Sequence, residues 1–285
     1  MLVFAQITDF HISAPDGRAE RMYRTADHLR VAAAHLNQLE PRPAFVLCTG
    51  DLVDAGGPAE YAELVPILAG LEMPYYLIPG NHDDRGALRD AFPDHAYLAG
   101  HDGFIQYTLE DGPLRLIGLD SQIAGQPRGT LCRTGLDWLA ARLAEQPERP
   151  TAIFMPHPPF RTGIAKMDDM GLDDPDALAE VLAPHGHIEA IMCGHIHRPI
   201  MRRFAGTIAM TGPGTAHQIA LDLRPDERLT IIMEPPGCML HAWSGGADGL
   251  VSHVSYTGGA YDQTTVFKDG DWQTDAPTPK PTIPL

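Results

Sequence analysis

An α/β fold completed by a second, more antiparallel sheet is what this 285-residue sequence predicts. Short apolar runs alternate with stretches of helical periodicity up to about residue 200, the rhythm of strands joined by crossover helices. From about residue 203 that texture gives way to β-rich segments with turn signals and no clear helix. Five of the earlier apolar runs end in aspartate, asparagine or histidine, at the place where open α/β sheets bind ligands.

Leu2–Thr8 is the first strand. Leu29, Ala32, Ala33, Leu36 and Leu39 then recur at helical spacing, so residues 19–40 read as one helix packed on a sheet. Ala44–Thr49 is the next strand. Pro58–Leu71 is a helix whose first proline suits an opening turn and whose Pro66 introduces a kink. Pro74–Pro79 is the third strand. Residues 103–110 and 114–120 form a hairpin about the Asp111-Gly112 turn. Thr134–Gln146 is a helix with Thr134 as its cap and Leu136, Leu139 and Leu143 facing inward. Thr151–Met155 and Ile188–Cys193 are buried strands either side of a short helix at 175–184. Beyond them TIAMT, HQIALDL, RLTIIME and LVSHVSYT are strand-like. The expected organisation is one domain over residues 1–259 and an extended, Thr- and Pro-rich tail over 260–285. Within the domain, 203–257 is expected as a β-rich second sheet, with a cap and a dimer contact both open as its role. No internal repeat is present.

Composition narrows the function. Hydrophobic residues make up 44% and charged residues 20%, ordinary values for a soluble globular chain. A net charge of −16 argues against nucleic-acid polymers and anionic membranes, which reward basic patches. A small anionic substrate stays compatible where a metal supplies local positive charge. Cys48, Cys132, Cys193 and Cys238 form no CxxC pair, against a zinc ribbon or thioredoxin-like site. Cys48 and Cys193 read as reduced core residues. The opening MLVFAQITDF lacks a basic n-region and a cleavage site, and no apolar run reaches membrane-spanning length. A cytoplasmic protein is expected, with homo-oligomerisation left open.

The polar strand ends form a set. Asp9 and His11 follow the first apolar run, Gly50-Asp51 the second, and Gly80-Asn81-His82-Asp83 the third. His157 follows the TAIFMP run, and CGHIHRP places His195 and His197 after the last. At a strand end, residues i and i+2 face one side, so the two imidazoles of an HxH can share a ligand. The donors are carboxylate, amide and imidazole with no thiolate, which suits Fe, Mn, Zn or Co. Seven ligands exceed what one ion takes and suit two ions sharing a bridging carboxylate. The glycines at 50, 80 and 194 permit sharp turns and close backbone approach.

The series DxH, GDxxD, GNHD, H and GHxH, over residues 9–197, resembles the calcineurin-like metallophosphoesterase superfamily. LIPGNHDD, FMPHPP and GPGTAHQ are similar to its class III cyclic-nucleotide phosphodiesterase and glycerophosphodiesterase branch. The resemblance implies a four-layer αββα sandwich with two mixed sheets. It implies one metal held by Asp9, His11, Asp51 and His197, and another by Asp51, Asn81, His157 and His195, with Asp51 as the bridge. Phe10 departs from the small or polar residue of many members, with little effect expected because only its neighbours ligate. The implied reaction is hydrolysis of small phosphodiesters, cyclic nucleotides or glycerophosphodiesters, by a metal-activated hydroxide. A phosphomonoesterase, a nuclease and a non-catalytic scaffold are the alternatives. Few Lys or Arg lie near the motifs, which favours diesters over dianionic monoesters.

His82 directly follows Asn81, which makes ligation of the same metal difficult. It is expected to be catalytic, protonating the leaving alkoxide or hydrogen-bonding a phosphoryl oxygen. Asp54 and Asp83 read as carboxylates that orient ligands or fix loops. Asp120-Ser121 reads as structural. His217 either reaches the substrate pocket or is a satisfied polar histidine. Arg161, Lys166 and Arg198 are solvated charges by default. Residues 167–176 are either a lid or an ordinary acidic loop, and His241 and His253 read as non-catalytic.

Overall fold

Alternate residues of the central strands belong to two different cores. In Thr151–Met155, Ala152 and Phe154 join one buried cluster and Ile153 and Met155 join another. In Ile188–Cys193, Ala190 and Met192 join the first cluster, Ile191 and Cys193 the second. Neighbouring strand residues face opposite ways, so this sheet is covered on both sides. A computed structural model describing residues 1–225, 228–257 and 264–272 gives the layers. A five-stranded sheet runs in the order Gly249–Tyr256, Gly237–Gly245, Leu2–Ile7, Val46–Thr49, Tyr75–Ile78. A six-stranded sheet runs in the order Ile200–Phe204, Thr207–Thr211, Ile188–Cys193, Thr151–Met155, Arg115–Gly118, Tyr107–Leu109. Each mixes parallel and antiparallel pairs.

The first cluster fills the space between the sheets and reaches the helices Thr25–Gln38 and Pro58–Leu68 through Leu29, Leu36, Leu64 and Leu68. The second packs the six-stranded sheet against Leu139 and Leu143 of Arg133–Glu145 and Leu178 and Leu182 of Pro175–Leu182. The result is the four-layer αββα sandwich with two mixed sheets. The strands leading to the candidate ligands are parallel within each sheet, so their carboxyl ends meet along one edge. Among the described residues no helix is long and apolar enough to cross a membrane.

Three details depart from the sequence reading. The helix expected over 19–40 is two helices, Arg18–Tyr23 and Thr25–Gln38, broken at Arg24 in a left-handed conformation (φ 50°, ψ 49°). Glu20 stabilises the break, because its Oε2 accepts from Ala26 N at 2.9 Å and Thr25 Oγ1 at 3.2 Å and so caps the second helix. Thr134 is not a cap. Cys132, with extended backbone, precedes a helix that starts at Arg133, which leaves Thr134 in its first turn. The β-rich region does not stand apart as a second sheet. Thr207–Thr211 joins the six-stranded sheet, while Gly237–Gly245 and Gly249–Tyr256 pair with the first strand. Antiparallel return to Leu2–Ile7 satisfies an edge that would otherwise expose unpaired backbone. Of the expected 260–285 tail, residues 264–272 are described and contain the paired segments Phe267–Lys268 and Asp271–Trp272. The rest lies outside the described residues.

Candidate metal centre

Within each sheet, the loops that follow the parallel strands are laced together where the strands end. Asp9 N donates to Gly50 O at 3.1 Å and His11 N to Asp51 O at 3.0 Å, while Gly194 N donates to Pro156 O at 2.9 Å. Two glycines permit the close approach. A Cβ on Gly80 would lie 2.2 Å from Asp51 N and Oδ1, and one on Gly194 2.1 Å from Thr8 Oγ1. Five of the sequence-predicted site residues have left-handed backbones: Asp9 (φ 56°), His11 (47°), Asp51 (50°), His195 (69°) and His197 (48°). Each such turn costs an L-residue about 1 kcal/mol, a cost that concentrates at functional sites.

All eight predicted site residues come together. His11 Nε2 lies 3.0 Å from His197 Nε2 and 4.0 Å from Asp51 Oδ2. His197 Nε2 is 3.7 Å from Asp9 Oδ1, which accepts from His195 N at 2.8 Å. His195 Nδ1 is 2.9 Å from Asn81 Oδ1, and its ring is 4.6 Å from that of His157. His82 N donates to Asp51 Oδ1 at 3.0 Å. Donor atoms of Asp9, His11 and Asp51 all lie within 4.8 Å of one another.

The chemistry of the donors fits a cation. Asp9 Oδ2 is buried with no hydrogen-bond partner among the described residues, although buried polar atoms are normally paired. Burial raises Asp9 to about 7 and Asp51 to about 6. Burial lowers His157 and His197 to about 4 and pushes His11 and His195 well below the usual range. Neutral imidazoles offer lone pairs, and carboxylates whose burial outweighs the charge of His82 are those a cation would stabilise in ionised form.

A second ring of residues orients the first. Asp83 Oδ2 accepts from Leu52 N at 3.1 Å and Gly80 N at 2.8 Å, and Asp83 Oδ1 accepts from Tyr61 OH at 2.9 Å, which ties the Asp51 and Asn81 loops together. Asp54 Oδ1 lies 3.3 Å from His11 Nδ1, while the Asp54 carbonyl sits 2.6 Å from His82 Nδ1. With Nδ1–H donating to that carbonyl, His82 keeps Nε2 free. Burial opposes charge on His82, but Asp51, the Asp54 carbonyl and the nearby carboxylates outweigh it and raise its pKa. Ser121 is more than structural: its Oγ lies 2.9 Å from His157 Nδ1. Asp120 is held by Arg85 in a bidentate pair at 2.6 and 2.7 Å.

The cluster opens into a cavity of about 330 Å³ lined by His11, His82, His195 and His197. His217 reaches it too, stacked on Tyr23 with ring centroids 4.4 Å apart, and its carbonyl holds His197 Nδ1 at 3.0 Å. Arg161 pairs with Asp168 at 3.5 Å and Arg198 with Glu234 at 2.6 Å. Among the described lining residues Arg18 is the single arginine or lysine. Sequence reading missed Arg18 and Tyr23 because no strong signal marks the break at Arg24, and residues 19–40 keep one helical stripe. His241 is bonded to Ser252 and Gln6 instead.

Known proteins are similar to this chain in sequence and in fold. The family described as calcineurin-like phosphoesterase matches residues 2–199, and the chain belongs to that family, whose members are metal-dependent hydrolases with a dinuclear centre. It is 34% identical over 258 residues to a probable glycerophosphodiester phosphodiesterase from Arcobacter nitrofigilis, covering 90% of this chain and 94% of that one. It is 37% identical over 255 residues to a probable cyclic nucleotide phosphodiesterase from Rhodopseudomonas palustris, covering 88% and 90%. In fold it is similar to a dimetal phosphatase from Danio rerio, with TM-score 0.62 and 16% identity, covering 90% and 99%.

Proposed function

We propose that this protein is a dinuclear-metal phosphodiesterase acting on small phosphodiesters, cyclic nucleotides or glycerophosphodiesters. The observation that carries the reading is the convergence of seven donors, Asp9 with an unpartnered buried oxygen, beside a cavity that five of them line and where Arg18 is the single arginine or lysine. Asp9, His11, Asp51 and His197 would hold one cation, and Asp51, Asn81, His157 and His195 the other, with Asp51 shared. The mixed N/O set suits Fe, Mn, Zn or Co. Bound there, two cations supply Lewis-acid charge and a water acidified toward neutral pH.

The chain's own groups do the rest. Asp54 and Ser121 fix the rings of His11 and His157, which sets which nitrogen faces inward. His82 presents Nε2 to the cavity and, with its pKa raised, donates a proton to the leaving alkoxide. Beyond His82, whose proton goes to the leaving group, Arg18 is the one cationic side chain lining the cavity, and a monoester dianion calls for more, so the lining favours the single charge of a diester. Relatives named for diester hydrolysis support the same choice. Elemental analysis and a substrate panel test the reading together. The expected result is about two cations per chain and faster turnover of bis(4-nitrophenyl) phosphate than of 4-nitrophenyl phosphate. Preference for the monoester, or no metal uptake, overturns it.

A further inference from the structure

Part of the cavity wall holds no donors. Met167, Met170, Ile219, Leu229 and Ile231 line it. Met167 and Ile219 are buried with Ile164 and Ile196 in a small cluster separate from the two main cores, and Met170 and Ile231 pack against it. The wall is held in place. Asp168 Oδ1 accepts from Thr162 N at 2.6 Å and Thr162 Oγ1 at 2.8 Å, and Asp168 Oδ2 accepts from Gly163 N at 3.1 Å, fixing the turn before the helix Ala165–Asp168. Gln218–Ile219 pairs with Ile231–Ile232, fixing the other side of the wall.

We propose that this wall receives the ester group of the substrate and selects a flat aromatic ring over a polyol. The inference rests on the phosphodiesterase reading and names the substrate chemistry of that same site. A glycerol arm set against methionine and isoleucine would leave its hydroxyls without partners, and buried unpaired polar groups are costly. An aromatic ring loses little on leaving water and gains sulfur–ring contacts from the two methionines. A volume of about 330 Å³ sits at the small end of ligand cavities, enough for one ring system. A nucleoside cyclic phosphate and an aryl diester offer the wall the same face.

The test measures kcat and KM of metal-loaded protein on 3′,5′-cyclic AMP, bis(4-nitrophenyl) phosphate and glycerophosphoethanolamine. Met170→Gln and Ile231→Thr are the variants, both at half-buried positions where polar substitution is tolerated. The wild type is expected to show a KM for at least one aromatic diester about tenfold below that for glycerophosphoethanolamine, a comparison that the better nitrophenolate leaving group does not decide. Which of the two has the lower KM identifies the source of the ring. Each variant should shift that ratio toward glycerophosphoethanolamine, mainly through a higher KM for the aromatic diesters. Preference for glycerophosphoethanolamine, or variants that lower all three substrates in proportion, overturns the wall's role and leaves the phosphodiesterase reading standing. No turnover of any diester by protein carrying two metals removes both.

Discussion

The donor cradle and the apolar wall border one cavity but are built in different ways. The cradle sits at the ends of five buried strands, and its side chains answer to two extensive cores. The wall stands on a four-residue helix, a two-residue strand pair and a satellite cluster of four buried residues. The cradle fixes what bond is broken, and its tolerance for change is small. The wall fixes which molecule carries that bond, and rests on segments that can vary without disturbing either sheet. A family that keeps one chemistry while exchanging substrates is expected to divide its structure this way.

The largest expected effect comes from the centre of the cradle. Asp51→Ala should abolish nearly all turnover on every substrate and lower metal content from about two ions to about one or fewer. Wild-type rates at saturating metal would remove Asp51 from its bridging position. His82→Ala should lower kcat by about 10²–10⁴ while metal stoichiometry stays intact. Loss of metal in that variant would make His82 a ligand and not a proton donor. Ser121→Ala, which frees the His157 ring, should weaken metal affinity by about 10–100-fold, read by competition with a chelator. Unchanged affinity would show that the strand alone orients His157.

The smallest expected effect lies outside both regions. Burial holds His241 at about 3, below the ordinary 6.5. Below pH 6.5 the unfolded chain takes up a proton at this position that the folded chain refuses until near pH 3, so stability falls as pH falls through that window. The slope from this one group is at most about 1.4 kcal/mol per pH unit. His241→Gln should flatten urea midpoints measured from pH 6.5 down to pH 4.5; an unaltered slope would assign the acid sensitivity elsewhere.

Much of the cradle was legible in the sequence. Strand periodicity located Leu2–Ile7, Val46–Thr49, Thr151–Met155 and Ile188–Cys193 to within two residues, and the polar residue after each run marked the edge where ligands gather. The hairpin about Asp111-Gly112 was legible from its turn, since Tyr107–Leu109 pairs with Arg115–Gly118. The wall was not legible. Met167 and Ile219 look like any apolar residues, and their shared cavity depends on contacts between segments far apart in the chain. Arg24 carries no propensity for a left-handed turn, so only Glu20, reaching forward to cap the next helix, explains why Arg18–Tyr23 ends beside the cavity. Ser121 was read as structural, because a hydroxyl after a strand acquires meaning only when a particular imidazole lies opposite it.

The left-handed turns under five of the donors carry a consequence for how this protein can decay. Glycine occupies such a conformation without steric penalty, whereas alanine keeps the strain, and both lose the donor. At positions 9 and 197 a glycine variant should therefore melt higher than the alanine variant, reversing the ranking usual elsewhere in a chain. A lineage released from selection for hydrolysis would find its route to greater thermal robustness at the very positions that aim the metal ligands.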